Sequence, residues 1–483
     1  MLFQSLGFLI FFTFFFFLYW AFSSKTNIRN GLLLLASMYL YYLWDVRFLL
    51  ILLTLIIINF LLAKFISKDS RKGKFIFYFA VLLNIIPLLF FKYYNFFLEN
   101  INEFSTILGL SINLQTIKLL LPVGISFYTF LSLSYLIDVN KKYIQTENNI
   151  VNYALSISYF PIIMSGPIHR PRVFLKQLRE KRKFDYNLAV EGLRQVMTGL
   201  FLKIVVADSI AEHADKVFNE YYTIDGFSLL IGSIYFSFQL YFDFNGYSEM
   251  AIGISKLLGF RIDRNFRYPY LSRTIADFWK RWHISLTEWF RDYIFLPLSY
   301  IVSRNIKQNS VFNKDLFIYS VGIFITWSLT GFWHGAGWTF IIWGMIHAIL
   351  LIINKWFFKK KKKLLKILGL KKDNLIVIVY ETVLTFILVN LAWIFFRSET
   401  AVKGFYIAGK IFSVSDWCKP VVTMTPLILI LFVLILEFFQ RDKEFLFEIS
   451  NLKSVYRWGI YITATFLILY YSGKDSTFIY FGF

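Results

Sequence analysis

A chain of 483 residues that is 57% apolar and 21% aromatic carries more apolar surface than a soluble core of that size can hide, which excludes an ordinary water-soluble globule. Its formal charge of +21 would suit nucleic acid, but all except two of those charges fall in three short stretches: net +4 over 64–74, +6 over 168–183 and +9 over 355–372. Such clusters beside apolar runs point to lipid headgroups as partners and not to nucleic acid, while Cys418, the one cysteine, excludes an intrachain disulfide and a cysteine-built zinc site.

In chain order, the runs approaching the roughly 20 apolar residues that cross a bilayer are 6–22, two within 31–63, 75–91, 119–137, 151–167, 190–207, 227–245, 316–330, 338–354, 375–394, 421–440 and 458–472. Runs this continuous predict helices, because a barrel would show short strands of alternating polarity. Several are short or hold Pro or Gly, so about eleven true crossings are expected. The first run lacks a basic n-region and a small-residue cleavage site, and is read as a retained span. The expected fold is all-α, a polytopic transmembrane helical bundle treated as one membrane-embedded domain over 1–483. The basic stretches are placed in the cytoplasm, and the acidic segment 208–225, one span beyond the second of them, outside. Between Arg261 and Ser303, Trp279, Trp282, Trp289 and Phe290 alternate with Lys280, Arg281, His283 and Arg291. That pattern predicts amphipathic helices at the interface or dipping into the protein interior, since charge facing lipid is costly. No internal repeat supports an inverted-repeat transporter.

There are five histidines. His334 sits in GFWHGAGW between two apolar spans, where an ionisable side chain is by default a functional candidate. Gly331, Gly335 and Gly337 permit close approach of backbone and substrate, and Trp333 and Trp338 are candidates to wall a pocket. A neutral imidazole, with a reference pKa of about 6.5, is suited to taking a proton from an alcohol; the competing reading is a histidine bonded to a broken helix end. His283, in FWKRWHISL, is either a second polar group at a reacting centre or a member of an interfacial aromatic belt. His347 reads as a satisfied core residue. His169 and His213, at the heads of a basic and an acidic stretch, read as solvated surface. None has metal-ligand spacing such as HExxH, so no metal site is expected.

The segment QLYFDFNGYSEMAIG (239–253) gathers Asp243, Asn245, Tyr247, Ser248 and Glu249 beside an apolar span. Polar groups this dense must find partners in protein or water, so they either line an interior cavity or form a polar knot that orders the bundle. No GxSxG, Walker glycine loop or serine-centred triad is present; GISF at 124–127 lacks the second glycine.

The ordered blocks YFDFNGYSEMAIG, NFRYPYLSRTIADFWKRWHISLTEWFRDYIFLPL and TGFWHGAGWTFIIWGMIHA, together with the MLF…SLGFLIFF start and the FIYFGF end, closely resemble the bacterial polysaccharide branch of the membrane-bound O-acyltransferases (MBOAT). Length and C-terminal spans are more similar to its alginate-acetylating members than to the shorter D-alanyl-transferring ones; GPIHR, with His169, departs from the family pattern. The resemblance implies a bundle around a central funnel in a bacterial cytoplasmic (inner) membrane. It also implies that the catalytic histidine falls on His334 and the second signature histidine on His283. Asp243, Asn245, Tyr247, Ser248, Trp279, Arg281, Trp282 and Trp333 are then the expected substrate contacts. By the same resemblance no cofactor is bound, acetyl-CoA is the cytoplasmic acyl donor, and the acceptor is an extracytoplasmic polysaccharide reached through a secreted or membrane-anchored SGNH-type acetyltransferase partner. Two alternatives are D-alanyl transfer for teichoic acid modification and a non-catalytic transporter or flippase of acyl or glycan carriers.

Overall fold

The structure is a computed structural model that describes residues 3–66, 71–110, 112–306, 313–417, 422–473 and 479. Met1, Leu2, Lys68, Asp69, Cys418 and, apart from Ile479, the FIYFGF end lie outside the described residues. Among the described residues every regular element is helical. The chain forms two compact units, one of residues 1–196 with 247–263 and the other of 197–246 with 264–483.

The first unit holds α1 (Leu6–Ala21), α2 (Thr26–Tyr42), α3 (Val46–Ile66), α4 (Arg71–Leu88), α5 (Tyr94–Ile107), α6 (Ile125–Asn140), α7 (Ile150–Ser158), α8 (Pro171–Arg179) and α9 (Tyr186–Leu200) as far as residue 196. A π-helical turn, Leu89–Tyr93, joins α4 to α5 in one continuous helical rod. On α3 and α4 the amides of Asn59 and Asn84 exchange hydrogen bonds of 2.9 and 2.8 Å, which satisfies two polar groups inside an otherwise apolar pair.

Two expected spans are cut short here. Within 119–137 the backbone is irregular until α6 begins after Gly124, whose φ of +72° and close approach to Ile163 O exclude a side chain. Within 151–167, α7 ends at Ser158, three residues before the Pro161 that disfavours further helix. The basic stretch 168–183 is no free loop either. Arg179 pairs with Glu147 at 2.5 Å, Arg182 donates to Gly259 O and lies 3.8 Å from the Phe260 ring centroid, and Arg29 donates to Leu178 O and Glu180 O. His169, expected on the surface, is buried, with its Nε2 2.9 Å from Ser156 O. The charges around it in sequence are held by partners that leave its ring in the interior.

The second unit contains α10 (Asp208–Asn219), residues 226–246 of α11 (Gly226–Leu257), α12 (Ile275–Trp279), α13 (Ile284–Phe290), α14 (Leu296–Asn305), α15 (Lys314–His334), α16 (Trp338–Ile367), α17 (Leu375–Arg397), α18 (Ala401–Phe412), α19 (Thr425–Phe439) and α20 (Ser454–Tyr471). A π-helical stretch, Phe201–Ala207, precedes α10. Of the two placements expected for the aromatic-basic region, the protein interior is the one found: Trp279, Trp282, Trp289 and Phe290 are buried while Lys280 is exposed.

The chain is an all-α polytopic membrane protein. Among the described residues six helices are long and apolar enough to cross a bilayer: Val46–Ile66, Arg71–Ile107, Gly226–Leu257, Lys314–His334, Trp338–Phe358 and Leu375–Arg397. Two shorter apolar helices, α1 and α19, accompany them. The apolar runs in the sequence outnumber these long helices, because hydropathy counts apolar stretches whether they run as long helices, short helices or irregular backbone.

Candidate active site

His334 is the last residue of α15, and Gly335, Ala336 and Gly337 turn the chain into α16. The α15–α16 hairpin closes tightly because glycine faces backbone at both levels. A methyl on Gly331 would collide with Phe340 O, one on Gly344 with Trp327 O, and the Cα of each glycine would lie 3.2–3.3 Å from the methyl placed on the other. Small residues at a helix crossing let two axes approach where larger side chains would hold them apart. The His334 imidazole is thereby drawn inside, only 4% exposed. It meets Trp333, Trp343 and Phe396 with ring centroids 4.8, 5.0 and 5.2 Å away, all near edge-on. Trp393 backs this shell, stacked on Trp343 at 5.5 Å and edge-on to Phe396 at 5.2 Å.

His283 caps α13 with φ +41° and ψ +54°, a left-handed conformation that a non-glycine residue adopts at a cost of roughly 1 kcal/mol or more. The chain pays this strain where backbone bonds pin both flanks: Ile284 N donates to Asn265 O and Arg267 N to Arg281 O, each at 2.9 Å. The Asn265 side-chain oxygen accepts from Ser285 N and from Ser285 Oγ. Because that oxygen is an acceptor, the His283 Nδ1 lying 3.0 Å away must carry the proton. The tautomer is fixed, with the lone pair on Nε2, and complete burial pushes the imidazole pKa down to about 3, so the ring is neutral at physiological pH. Both His283, at 6.3 Å, and His334 lie against Trp333.

Asp243 and Asn245 lie on α11. Asp243 Oδ1 is 2.7 Å from Lys203 Nζ and its Oδ2 accepts from Ile479 N at 2.8 Å, while Lys203 also binds Asp208 at 2.8 Å. All three charges are buried, and they tie α11 to the π-helical stretch. Phe244, between Asp243 and Asn245, meets the His283 ring edge-on at 4.6 Å, which links this network to the second histidine.

Of the remaining expected contacts, Trp282 is buried against Phe278 and Trp393, and Trp279 donates from Nε1 to His347 Nδ1 at 3.3 Å. Arg281 pairs with Asp277 at 3.0 Å. Tyr247 and Ser248 fall in the first unit, where Tyr247 stacks on Phe3 at 5.0 Å and Ser248 is fully buried. Trp338, expected to wall the pocket, is 57% exposed; one turn into α16 the walls are Trp343 and, from α17, Trp393 and Phe396. None of these three was among the residues expected at the site, and neither were Lys203 and Asp208. An ionisable Lys203 inside an apolar run was the signal available for the last pair. Among the described residues no group of three His, Cys, Asp or Glu side chains is placed to hold a metal ion.

Residues 38–388 match the model of the MBOAT, membrane-bound O-acyltransferase family. The chain is 34% identical to the probable alginate O-acetylase of Pseudomonas aeruginosa, covering 82% of this chain and 72% of the relative. It is 33% identical to the peptidoglycan O-acetyltransferase of Helicobacter pylori, over 77% of this chain and 72% of that one. It is 31% identical to the teichoic acid D-alanyltransferase of Streptococcus thermophilus, over 62% and 68% respectively.

Proposed function

The chain belongs to the membrane-bound O-acyltransferase family and is an O-acyltransferase, and on that premise we propose that it moves an acetyl group from a cytoplasmic thioester donor across the membrane for O-acetylation of an extracytoplasmic polysaccharide. The observation that carries this reading is the placement of His334: a buried imidazole at the break between two membrane-length helices, walled by tryptophan and phenylalanine.

In the proposed reaction His334 accepts the proton of the acceptor hydroxyl as its oxygen bonds to the thioester carbonyl carbon. The tetrahedral adduct then expels the thiolate, so that a C–O bond replaces a C–S bond and the proton passes to the leaving sulfur. The acceptor hydroxyl belongs to a sugar or to a serine of the SGNH-type partner. His283, neutral with its tautomer set by Asn265, and the Asp243–Lys203–Asp208 network hold the α11 and α13 walls in register. Asn245, Tyr247, Ser248, Trp279, Arg281, Trp282 and Trp333 are proposed substrate-side residues. Acetyl-CoA is the proposed donor and the bacterial inner membrane the proposed location. The acetyl assignment is favoured over D-alanyl because the O-acetylating relatives align over more of the chain than the D-alanyl-transferring one.

The experiment is acetyl incorporation into surface glycan by His334→Ala at matched membrane abundance. A fall of about a hundredfold to ten-thousandfold, the usual worth of general-base assistance, is expected. Incorporation equal to wild type would remove His334 from the mechanism.

A further inference from the structure

Another imidazole lies in the same aromatic box, and the reaction as written leaves it without a task. His347 is fully buried on α16, one helical turn beyond Trp343. Its ring meets Trp279 at 4.8 Å, Trp343 at 5.0 Å and Trp327 at 5.7 Å. An indole N–H only donates, so the 3.3 Å bond from Trp279 Nε1 makes His347 Nδ1 an acceptor and puts the ring proton on Nε2. That Nε2–H, and the Nε1–H of Trp343, are both buried with no acceptor among the described residues. Two buried donors without acceptors, one turn apart on one helix, carry a desolvation cost that a bound oxygen would remove. Trp343 stands at 5.0 Å from both His334 and His347, so one member of the pair touches the proposed base and bridges it to the other.

We propose that His347 Nε2–H and Trp343 Nε1–H form the binding site for the thioester carbonyl oxygen of the acyl donor, and that they hold the negative charge which develops there when the acceptor oxygen attacks. The inference rests on the function proposed above, with His334 as base. The carbonyl π bond opens onto this oxygen as the C–O bond forms, and closes again as the thiolate leaves, so the two donors gain strength in the adduct relative to the resting thioester. Fixed donors in a site from which water is excluded act on such charge far more strongly than solvent would.

The test is acetyl transfer from acetyl-CoA by the purified full-length chain with a hydroxyl acceptor, comparing His347→Phe, His347→Gln and Trp343→Phe, with His334→Ala in parallel. His347→Phe keeps a flat ring and loses the donor; kcat is expected to fall about a hundredfold to a thousandfold while KM for the thioester moves much less. His347→Gln restores an N–H and is expected to recover at least tenfold of that loss, which a purely structural role for the ring would not produce. If His347→Phe does not accumulate, Trp343→Phe decides: a kcat loss of tenfold or more supports the site, and a kcat within twofold of wild type overturns it. A folded His347→Phe with kcat within threefold of wild type also overturns it. If His334→Ala retains turnover, the general-base reading has failed instead, which separates the two failures.

Discussion

Adding one methyl at Gly344 tests whether the reactivity of His334 depends on the closeness of α15 and α16. In an exposed helix Gly→Ala gains up to about 1 kcal/mol from propensity, so local preference alone would make Gly344→Ala harmless. The structure reverses the sign. The new Cβ would fall inside van der Waals distance of Trp327 O and 3.2 Å from the Gly331 Cα, and backbone on both sides leaves no flexible side chain to yield. Restoring ordinary contact requires the helices to part by about 1 Å, against an overpacking cost of roughly 1–3 kcal/mol. Because His334 follows Gly331 by less than one turn, the imidazole moves with it, and a displacement of about 1 Å is worth on the order of a hundredfold in rate. Acetyl incorporation at matched membrane abundance is the assay. Gly459→Ala on α20, where a methyl meets open space, is the control and is expected to stay within twofold of wild type. A Gly344→Ala protein at wild-type abundance with turnover within threefold would show that the hairpin spacing does not set the reactive geometry.

Removing the central cation of the buried triad, by Lys203→Met, takes from Asp208 and Asp243 the ammonium that both of them bind. A loss of about 3–5 kcal/mol is expected, read as a lowered melting temperature in detergent and reduced membrane abundance; a shift worth less than 1 kcal/mol would mean the carboxylates have another partner. His169 supplies a pH test. Burial lowers its pKa from 6.5 to about 3 in the folded chain, so below about pH 6.5 the unfolded chain takes up a proton that the folded chain refuses. Its contribution to stability is complete above that pH and is lost as pH falls toward 3. Between pH 7 and pH 5, wild type is expected to lose on the order of 2 kcal/mol relative to His169→Asn, whose side chain does not titrate. Parallel melting curves for the two proteins across that range would refute the burial of His169.

How far the sequence could be read depended on whether a property was local. Apolar excess needs no partner to be recognised, so the membrane class and the helical fold were legible. The glycine-flanked His334 was legible because its whole signature lies within eight residues. Trp343, Trp393 and Phe396 were not, since they come from two later helices in a chain with 13 tryptophans and 58 phenylalanines, where one more ring carries no signal. His169 misled because neighbouring arginines implied solvent, whereas Glu147, Gly259 and Asp138 engage those arginines and leave the imidazole inside. The segments 119–137 and 151–167 misled because hydropathy reports solvent preference and is silent on backbone path; Gly124 and Pro161 were the local signs that the helix would not run through.

The length of α16 has a consequence for where chemistry takes place. From Trp338 to Lys360 this unbroken helix rises about 33 Å, close to a full hydrocarbon thickness. Its lysine-rich end and the His334 bend therefore lie about one bilayer thickness apart along a single rod. Lengthening or shortening that rod by one turn would move the His334 bend by about 5 Å relative to the lysines, a displacement on the scale of the site itself.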